Sequence, residues 1–176
     1  MILVGTAGSD RVATGLVDKR LVGLQDIMPT LLDLADIPVP STVEGLSMVG
    51  EPRRDFLYAE CREERSATRM LHDGRHKLIW YPAGNRLQLF DLDEDPREME
   101  DLADVPGHRP LRDRLERELV HRLYGGDLDW VRDGSLVGFD PGPFRPKVNR
   151  ALAGQRGIHY PQPPVDRPDV PVGQPG

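Results

Sequence analysis

The chain has 176 residues, enough for one ordinary domain or for one domain with a tail, and its apolar share of 38% is below that usual for a globular protein. Its formal net charge of −6 argues against a nucleic-acid surface, because phosphate binding needs a concentrated positive patch. A single cysteine, Cys61, excludes an internal disulfide. No apolar run is long enough to cross a membrane, and the apolar start Met1–Val4 is too short for a signal peptide, so we expect a cytoplasmic chain without membrane contact.

The first region, residues 1–49, contains one strong helix pattern. Asp26 is the predicted N-cap, Pro29 falls in the first turn, and Pro38 ends the helix. Apolar residues cover two of its sides, so we expect most of them to be buried: Ile27, Met28, Leu31, Leu32, Leu34 and Ala35. Such a helix needs a sheet or other helices to cover it. The few apolar residues upstream cannot supply a sheet, which favours a truncated chain or a partner chain.

The second region, residues 50–125, has the pattern of a small α+β unit. Strands are predicted at 56–59, 69–72, 76–81 and 87–92, and together they form an antiparallel meander. Asp73-Gly74 predicts a type I′ hairpin between the second and third strands.

Two helical features follow the predicted strands. Asp95-Pro96-Arg97-Glu98 places an N-cap, a proline at the first helical position and a glutamate at the third, which predicts a short capped turn of helix. Leucines recur at every fourth position from Leu111 to Leu123 and predict an amphipathic helix that ends at Gly125-Gly126 and covers one side of the sheet.

The third region, residues 126–176, is rich in proline and glycine and is predicted to be a tail. Its first part, Trp130 to Phe144, contains apolar residues that could anchor it on the preceding unit. From Pro161 onward we expect an extended or disordered segment.

Three segments resemble the sulfatases of the alkaline phosphatase superfamily. Leu24–Pro40 with Glu44–Met48 resembles their D-x-x-P-T-L-L-x-L-A-G-x-x-x-P … G-x-S-L segment. His72–Trp80 is similar to T-D-G-R-Y-K-Y-I-W, and Gln88–Ala103 to E-L-Y-D-L-x-x-D-P-x-E-x-x-N-L-A. Because all three occur in order at natural spacing, the resemblance is specific. It implies an α/β fold class: residues 1–49 as the edge of the catalytic domain, followed by the small sheet-and-helix subdomain and the tail.

The resemblance implies hydrolysis of sulfate esters, with formylglycine as nucleophile and calcium as metal in the intact family enzyme. Formylglycine is made from the Cys or Ser of C/S-x-P-x-R, whereas Cys61 lies in Glu60-Cys61-Arg62-Glu63-Glu64, without that Pro or Arg. Asp91, Asp93 and Asp95 imitate the start of an EF-hand loop, but Pro96 and Leu102 replace its Gly and Glu. We therefore assign no catalytic residue and no metal ligand, and expect the isolated chain to be inactive.

Seven residues are candidates for substrate binding. Glu60, Arg62, Arg65 and Arg69 are placed in a loop between two predicted strands, where arginine would suit the geometry of a sulfate group; an ordinary charged loop is an equally good interpretation. His72, His76 and Lys77 could line a polar pocket for an anionic substrate, although an exposed hairpin is the favoured interpretation.

The partner implied by the resemblance is an N-terminal catalytic region or a separate catalytic chain. The alternative function is a non-catalytic binding or regulatory subunit, with the apolar helix as the surface that meets the catalytic chain. An unrelated serine esterase is disfavoured, since no Gly-x-Ser-x-Gly occurs.

Overall fold

The computed structural model describes residues 11–12, 15, 17–51, 53–63 and 66–142. The described residues up to Asp140 group into one compact unit. Its helices and strands, in chain order, are α1 (Ile27–Leu34), β1 (Leu57–Cys61), β2 (Thr68–His72), β3 (His76–Tyr81), β4 (Arg86–Asp91), α2 (Arg109–Val120), β5 (Val131–Arg132) and β6 (Ser135–Leu136). Short 3₁₀ helices occur at Leu24–Asp26, Pro106–His108 and Gly125–Trp130.

The central sheet is an antiparallel meander in the order β1-β2-β3-β4. Leu71, Leu78 and Leu89 face one another across β2, β3 and β4, and none of the three is exposed to solvent. Leu115 and Leu119 of α2 belong to the same core cluster. Burying an aliphatic side chain contributes about 1.5–3 kcal/mol, so this leucine contact is the main apolar stabilisation of the unit. The predicted meander, and the helix that covers one side of it, are confirmed.

The β2–β3 hairpin differs from the predicted type I′ turn. The backbone N–H of Asp73 donates to the carbonyl of His76 (3.1 Å), so Gly74 and Arg75 are the two central residues. Gly74 has φ +97°, whereas Arg75 has no positive φ, which is the pattern of a type II′ turn. The carboxylate of Asp73 accepts the backbone N–H groups of Arg75 (3.1 Å) and His76 (2.7 Å) and so fixes the turn one residue later than expected.

The predicted capped helix at Asp95 is wrong. The segment is a turn in which the Asp95 carboxylate accepts the backbone N–H groups of Met99 (2.6 Å) and Glu100 (2.8 Å). Glu98 has φ +55° instead of a helical value. Its carboxylate binds Lys77 Nζ at 2.8 and 2.9 Å, so a tertiary ion pair replaces the local contact that a capping box would make.

Helix α1 buries a different side from the one its apolar residues predict. Pro29 and Thr30 are buried, whereas Ile27, Met28 and Leu31 are 39%, 47% and 60% exposed. The expected burial is therefore wrong within the part of the chain that the structure describes. The reason is that the segment returning along 45–48 packs on the Pro29–Thr30 side, and no described segment covers the apolar side.

Helix α1 ends before Pro38, as predicted, whereas α2 ends earlier than predicted. In α1, Ile37 N–H donates to Leu32 O (2.9 Å) and Asp36 N–H donates to Asp33 O (3.0 Å), the Schellman pattern, with Asp36 at φ +55°. The helix thus stops before Pro38. Helix α2 stops at Val120, ahead of the predicted glycine pair.

The start of the third region packs on the sheet, as predicted. Trp130 meets Trp80 edge to face, with ring centroids 6.2 Å apart. The backbone of Phe139 donates to Pro82 O and accepts from Gly84 N–H, both at 2.9 Å. Phe144 and the segment from Pro161 onward lie outside the described residues, and the three-region division of the chain stays a prediction. Among the described helices, none has the length and apolarity of a membrane span.

The first sequence motif folds around the carboxylate of Asp26, which is 1% exposed. It accepts the backbone N–H groups of Gly23 (2.7 Å) and Leu46 (2.8 Å) and pairs with Arg54. Thr30 adds a second link, because its hydroxyl accepts the N–H of Met48 (2.9 Å). The Asp and Thr positions of the motif, Asp26 and Thr30, therefore have structural roles in this chain.

Gly45 lies where this return segment approaches the helix most closely, so Gly45→Ala should destabilise the chain. An added Cβ would meet the carbonyl oxygen of Gln25 at 2.0 Å. We expect a loss of about 1–3 kcal/mol or more, measured by urea unfolding. Gly107→Ala is the matched control, since a Cβ there meets nothing within 4 Å and should change stability by under about 1 kcal/mol. Equal effects of the two substitutions would contradict this assignment.

Candidate functional site

The structure describes six of the seven predicted residues and separates them into two groups. Glu60 lies on β1 opposite Arg69 on β2, so the predicted placement of both in a loop is wrong, whereas the strand predicted at 69–72, which also contains Arg69, is confirmed. Arg62 does lie in that loop. Arg65 lies outside the described residues. His72, His76 and Lys77 flank the β2–β3 hairpin, as predicted. The substrate-binding role of all seven stays a prediction.

Arg69 forms a buried ion pair with Asp127. Its Nε and Nη2 donate to the two carboxylate oxygens at 2.5 and 2.7 Å, and Arg69 is only 2% exposed. Its Nη1 donates to the carbonyls of Arg62 and Thr68, each at 3.1 Å. The bond to Asp127 raises the pKa of Arg69. Because every nitrogen of the guanidinium already donates within the chain, Arg69 is placed to hold this corner rigid and to contribute positive charge.

A cavity of about 340 Å³ adjoins this ion pair, lined by Glu60, Arg69, Tyr124 and Trp130 among others. Glu60 accepts the hydroxyl of Tyr124 at 2.7 Å and that of Tyr58 at 3.0 Å. Burial and the neighbouring Glu60 carboxylate raise the pKa of Tyr58, so its hydroxyl stays protonated and donating. Aromatic faces beside carboxylates suit a sugar ring or a cation better than a free anion.

The hairpin group is organised around His76. Its Nδ1 lies 3.3 Å from Asp73 Oδ2, and its Nε2 lies 3.8 Å from Asp91 Oδ2. Burial alone would raise the pKa of Asp73, but donation by the His76 backbone and by the Arg114 guanidinium outweighs it and holds that pKa at about 2. The Arg75 guanidinium likewise lowers the pKa of Asp91 to about 2. Both carboxylates are therefore ionised at neutral pH and face the imidazole.

His72 and Lys77 are held by neighbours on the same hairpin. His72 Nδ1 accepts the backbone N–H of Gly74 at 2.8 Å, and burial lowers the pKa of His72. Lys77 is paired with Glu98. Of the seven predicted residues, Glu60 and Arg69 line the same cavity.

Sequence reasoning missed the residues that complete each group. Asp127 and Trp130 lie 58 and 61 positions after Arg69, and no local pattern connects them with it. Arg114 is one of many arginines on the polar side of α2, and its bond to Asp73 depends on how the helix lies over the sheet. For the hairpin cluster, the sequence indicated His72, His76 and Lys77 but not their acidic and arginine partners.

The described residues do not fit the calcium and formylglycine of the family. They contain no group of three or more His, Cys, Asp or Glu side chains that could hold a metal ion. Asp91, which begins the EF-hand-like run, is bound by Arg75 Nε and Nη2 at 2.9 and 2.6 Å. Cys61 is an exposed thiol at the end of β1. No chemical step is therefore assigned to either group in this chain.

Comparison with known proteins identifies the family. The family model described as "N-sulphoglucosamine sulphohydrolase, C-terminal" matches residues 7–123. The chain is 33% identical over 129 residues to an arylsulfatase of Clostridium perfringens, covering 70% of this chain and 27% of that protein. It is 32% identical over 110 residues to human arylsulfatase K, covering 52% of this chain and 20% of that protein. The chain therefore belongs to the sulfatase C-terminal domain family, which confirms the resemblance.

A solved structure gives the same result for the fold. The structure of a 2-O GAG sulfatase superposes with a TM-score of 0.52 and 26% sequence identity, covering 61% of this chain and 26% of that one. The predicted fold class, a sulfatase-type α/β edge with a small antiparallel sheet, is confirmed. The chain spans about a quarter of the length of the relatives it matches.

Removing the carboxylate of Asp127 should strongly destabilise the chain, because the buried Arg69 guanidinium loses both of its short charged hydrogen bonds and keeps only the more distant Glu60 (3.9 Å) and Glu63 (3.6 Å). For Asp127→Ala we expect a loss of about 3–5 kcal/mol, measured by urea unfolding. Asp129→Ala removes an exposed carboxylate from the same segment and should cost about 0.5 kcal/mol or less. The double variant Arg69→Met/Asp127→Leu should recover part of the loss. Similar losses of unfolding free energy in Asp127→Ala and Asp129→Ala would contradict a stabilising role for the buried Arg69–Asp127 pair.

Proposed function

We propose that this chain is the C-terminal part of a sulfuric ester hydrolase and supplies the frame of the enzyme rather than its chemistry. The observation that carries the proposal is the family match over residues 7–123. The folding of all three resembling segments into one described unit supports it, since Asp26, Asp73 and Asp91 each hold a turn or a junction between elements.

The reacting groups would come from the catalytic part of the family, because the sequence contains no C/S-x-P-x-R. Sulfate ester hydrolysis in this family needs a nucleophile that takes up the sulfuryl group, and neither Cys61 nor any serine here lies in that motif. In the complete enzyme, the seven candidate residues would contribute charge at the rim of the substrate cleft. Arg62 and the hairpin are the best placed, as Arg69 is enclosed by the chain.

The purified chain should not hydrolyse an aryl sulfate, even with calcium present. We expect a rate equal to that of the buffer blank, because no activated nucleophile is present to form the covalent intermediate. The measurement is release of the phenol, followed by absorbance, with an intact sulfatase as positive control. Cys61→Ala is the matched variant and should give the same blank rate. Calcium-dependent turnover that disappears in Cys61→Ala would contradict the proposal.

A second candidate function is a non-catalytic subunit that binds a separate catalytic chain. The exposed apolar side of α1, formed by Ile27, Met28 and Leu31, favours it, because apolar patches on stable proteins usually mark interfaces. The same surface also fits a catalytic region within a longer chain. A chain that folds cooperatively as a monomer would count against the separate subunit, since α1 would then need no cover.

A further inference from the structure

A second cavity, of about 390 Å³, is lined by the chain before the first 3₁₀ helix, the chain before β1, the β2–β3 hairpin and α2. Its charge is opposite in sign to that of the whole chain, which is −6. Two lining residues are acidic, Asp55 and Asp73, and five are basic: Lys19, Arg20, Arg53, Arg54 and Arg114. Asp18 and Asp26 pair with two of these arginines, Arg20 and Arg54, so the cations still exceed the nearby carboxylates by one, five against four. A concave surface with an excess of one sign of charge concentrates ligands of the opposite sign.

Two of the arginines are fixed in place by the chain. Arg20 donates to the carbonyls of Met48 (2.7 Å) and Gly50 (2.6 Å) and to the carboxylate of Asp18 (2.6 Å), and Arg114 donates to Asp73 (2.6 Å). These bonds hold the guanidinium groups at the cavity wall before any ligand arrives. Charge that is already oriented costs little further ordering when an anion binds.

Arg54 has an unused donor. Its Nη2 pairs with Asp26, but its Nη1 is buried and has no hydrogen-bond acceptor among the described residues. A buried donor on a charged group that lacks an acceptor is costly, so an anion oxygen that reached Nη1 would be favoured. Lys19 and Arg53 are exposed and can close on the same anion from the solvent side.

We propose that this cavity is a binding site for a tetrahedral oxyanion, a sulfate or phosphate group that is either free or carried on a small molecule. Guanidinium groups match the paired oxygens of such anions, and cations on separate segments surround a tetrahedral group better than a flat one. The volume lies in the range of small-molecule sites, and Phe56 and Leu21 give it an apolar wall. The site does not depend on the hydrolysis proposed for the complete enzyme.

The test is a titration of the isotope-labelled 176-residue chain with sodium sulfate and sodium phosphate at constant ionic strength, balanced with sodium chloride. We expect saturable amide shifts at residues 19–21, 53–56 and 73–74. Lys19→Ala/Arg53→Ala should weaken binding about tenfold or more, since charged hydrogen bonds are lost. The matched control Arg97→Ala/Arg132→Ala removes the same charge from exposed positions outside the cavity lining and should bind as the unaltered chain does.

Each outcome decides the proposal. Shifts that do not saturate, or equal weakening in the two double variants, would overturn it, because screening by the whole protein would then explain the effect. An aryl sulfate and its parent phenol identify the source of the group. Tighter binding of the ester than of inorganic sulfate, with none by the phenol, indicates a carried sulfate group; equal binding of ester and ion indicates that the free ion suffices. Binding of the phenol alone would also contradict an oxyanion site.

Discussion

The buried carboxylate of Asp26 is the interaction on which the arrangement of the N-terminal half depends. It binds the N–H groups of Gly23 and Leu46 and the guanidinium of Arg54, and so joins the start of α1, the return segment and the chain that enters β1. Burial would raise the pKa of Asp26, but these donors outweigh it and lower that pKa. The carboxylate therefore stabilises the fold above its unfolded-state pKa, and this contribution is lost as the pH falls. Removing a buried partner of this kind typically costs about 3–5 kcal/mol.

A second buried ion pair, Arg69 with Asp127, joins separate segments of the C-terminal half. Arg69 and Asp127 connect β2 to the 3₁₀ helix that follows α2, and Trp130 lies with its ring centroid 5.9 Å from the guanidinium. The apolar core gives most of the stability. Each ion pair fixes which segments meet, because any other arrangement of those segments would leave a buried charge without its partner.

Much of the fold could be predicted from the sequence, because the spacing of apolar residues along the chain determines which segments form helices and which form strands. The leucines from Leu111 to Leu123 and the strand alternation around His76 specify a helix and a meander whatever the rest of the chain does. The predictions failed where a distant residue outweighed a local pattern. Asp95 starts no helix because Glu98 pairs with Lys77, and α1 buries Thr30 rather than Leu31 because of where the return segment lies.

The candidate site was less predictable for the same reason. Glu60 and Arg69 were found from residue type alone, but Asp127, Tyr124 and Arg114 reach their partners only through the tertiary fold. The positively charged cavity was not visible in the sequence at all, because its basic residues come from three separate segments with acidic residues between them. Together these features describe a unit that holds charge in fixed positions around surfaces that another part of a sulfatase could complete.

The most direct test of the central claim, that this chain is one part of a sulfatase, is the genomic DNA immediately upstream of the Met1 codon, translated in all three frames. The account predicts coding sequence for a C/S-x-P-x-R motif and for the carboxylates of a calcium site, either in frame or stranded in another frame after a stop. The absence of any such motif in that DNA would contradict it and would favour a free-standing subunit.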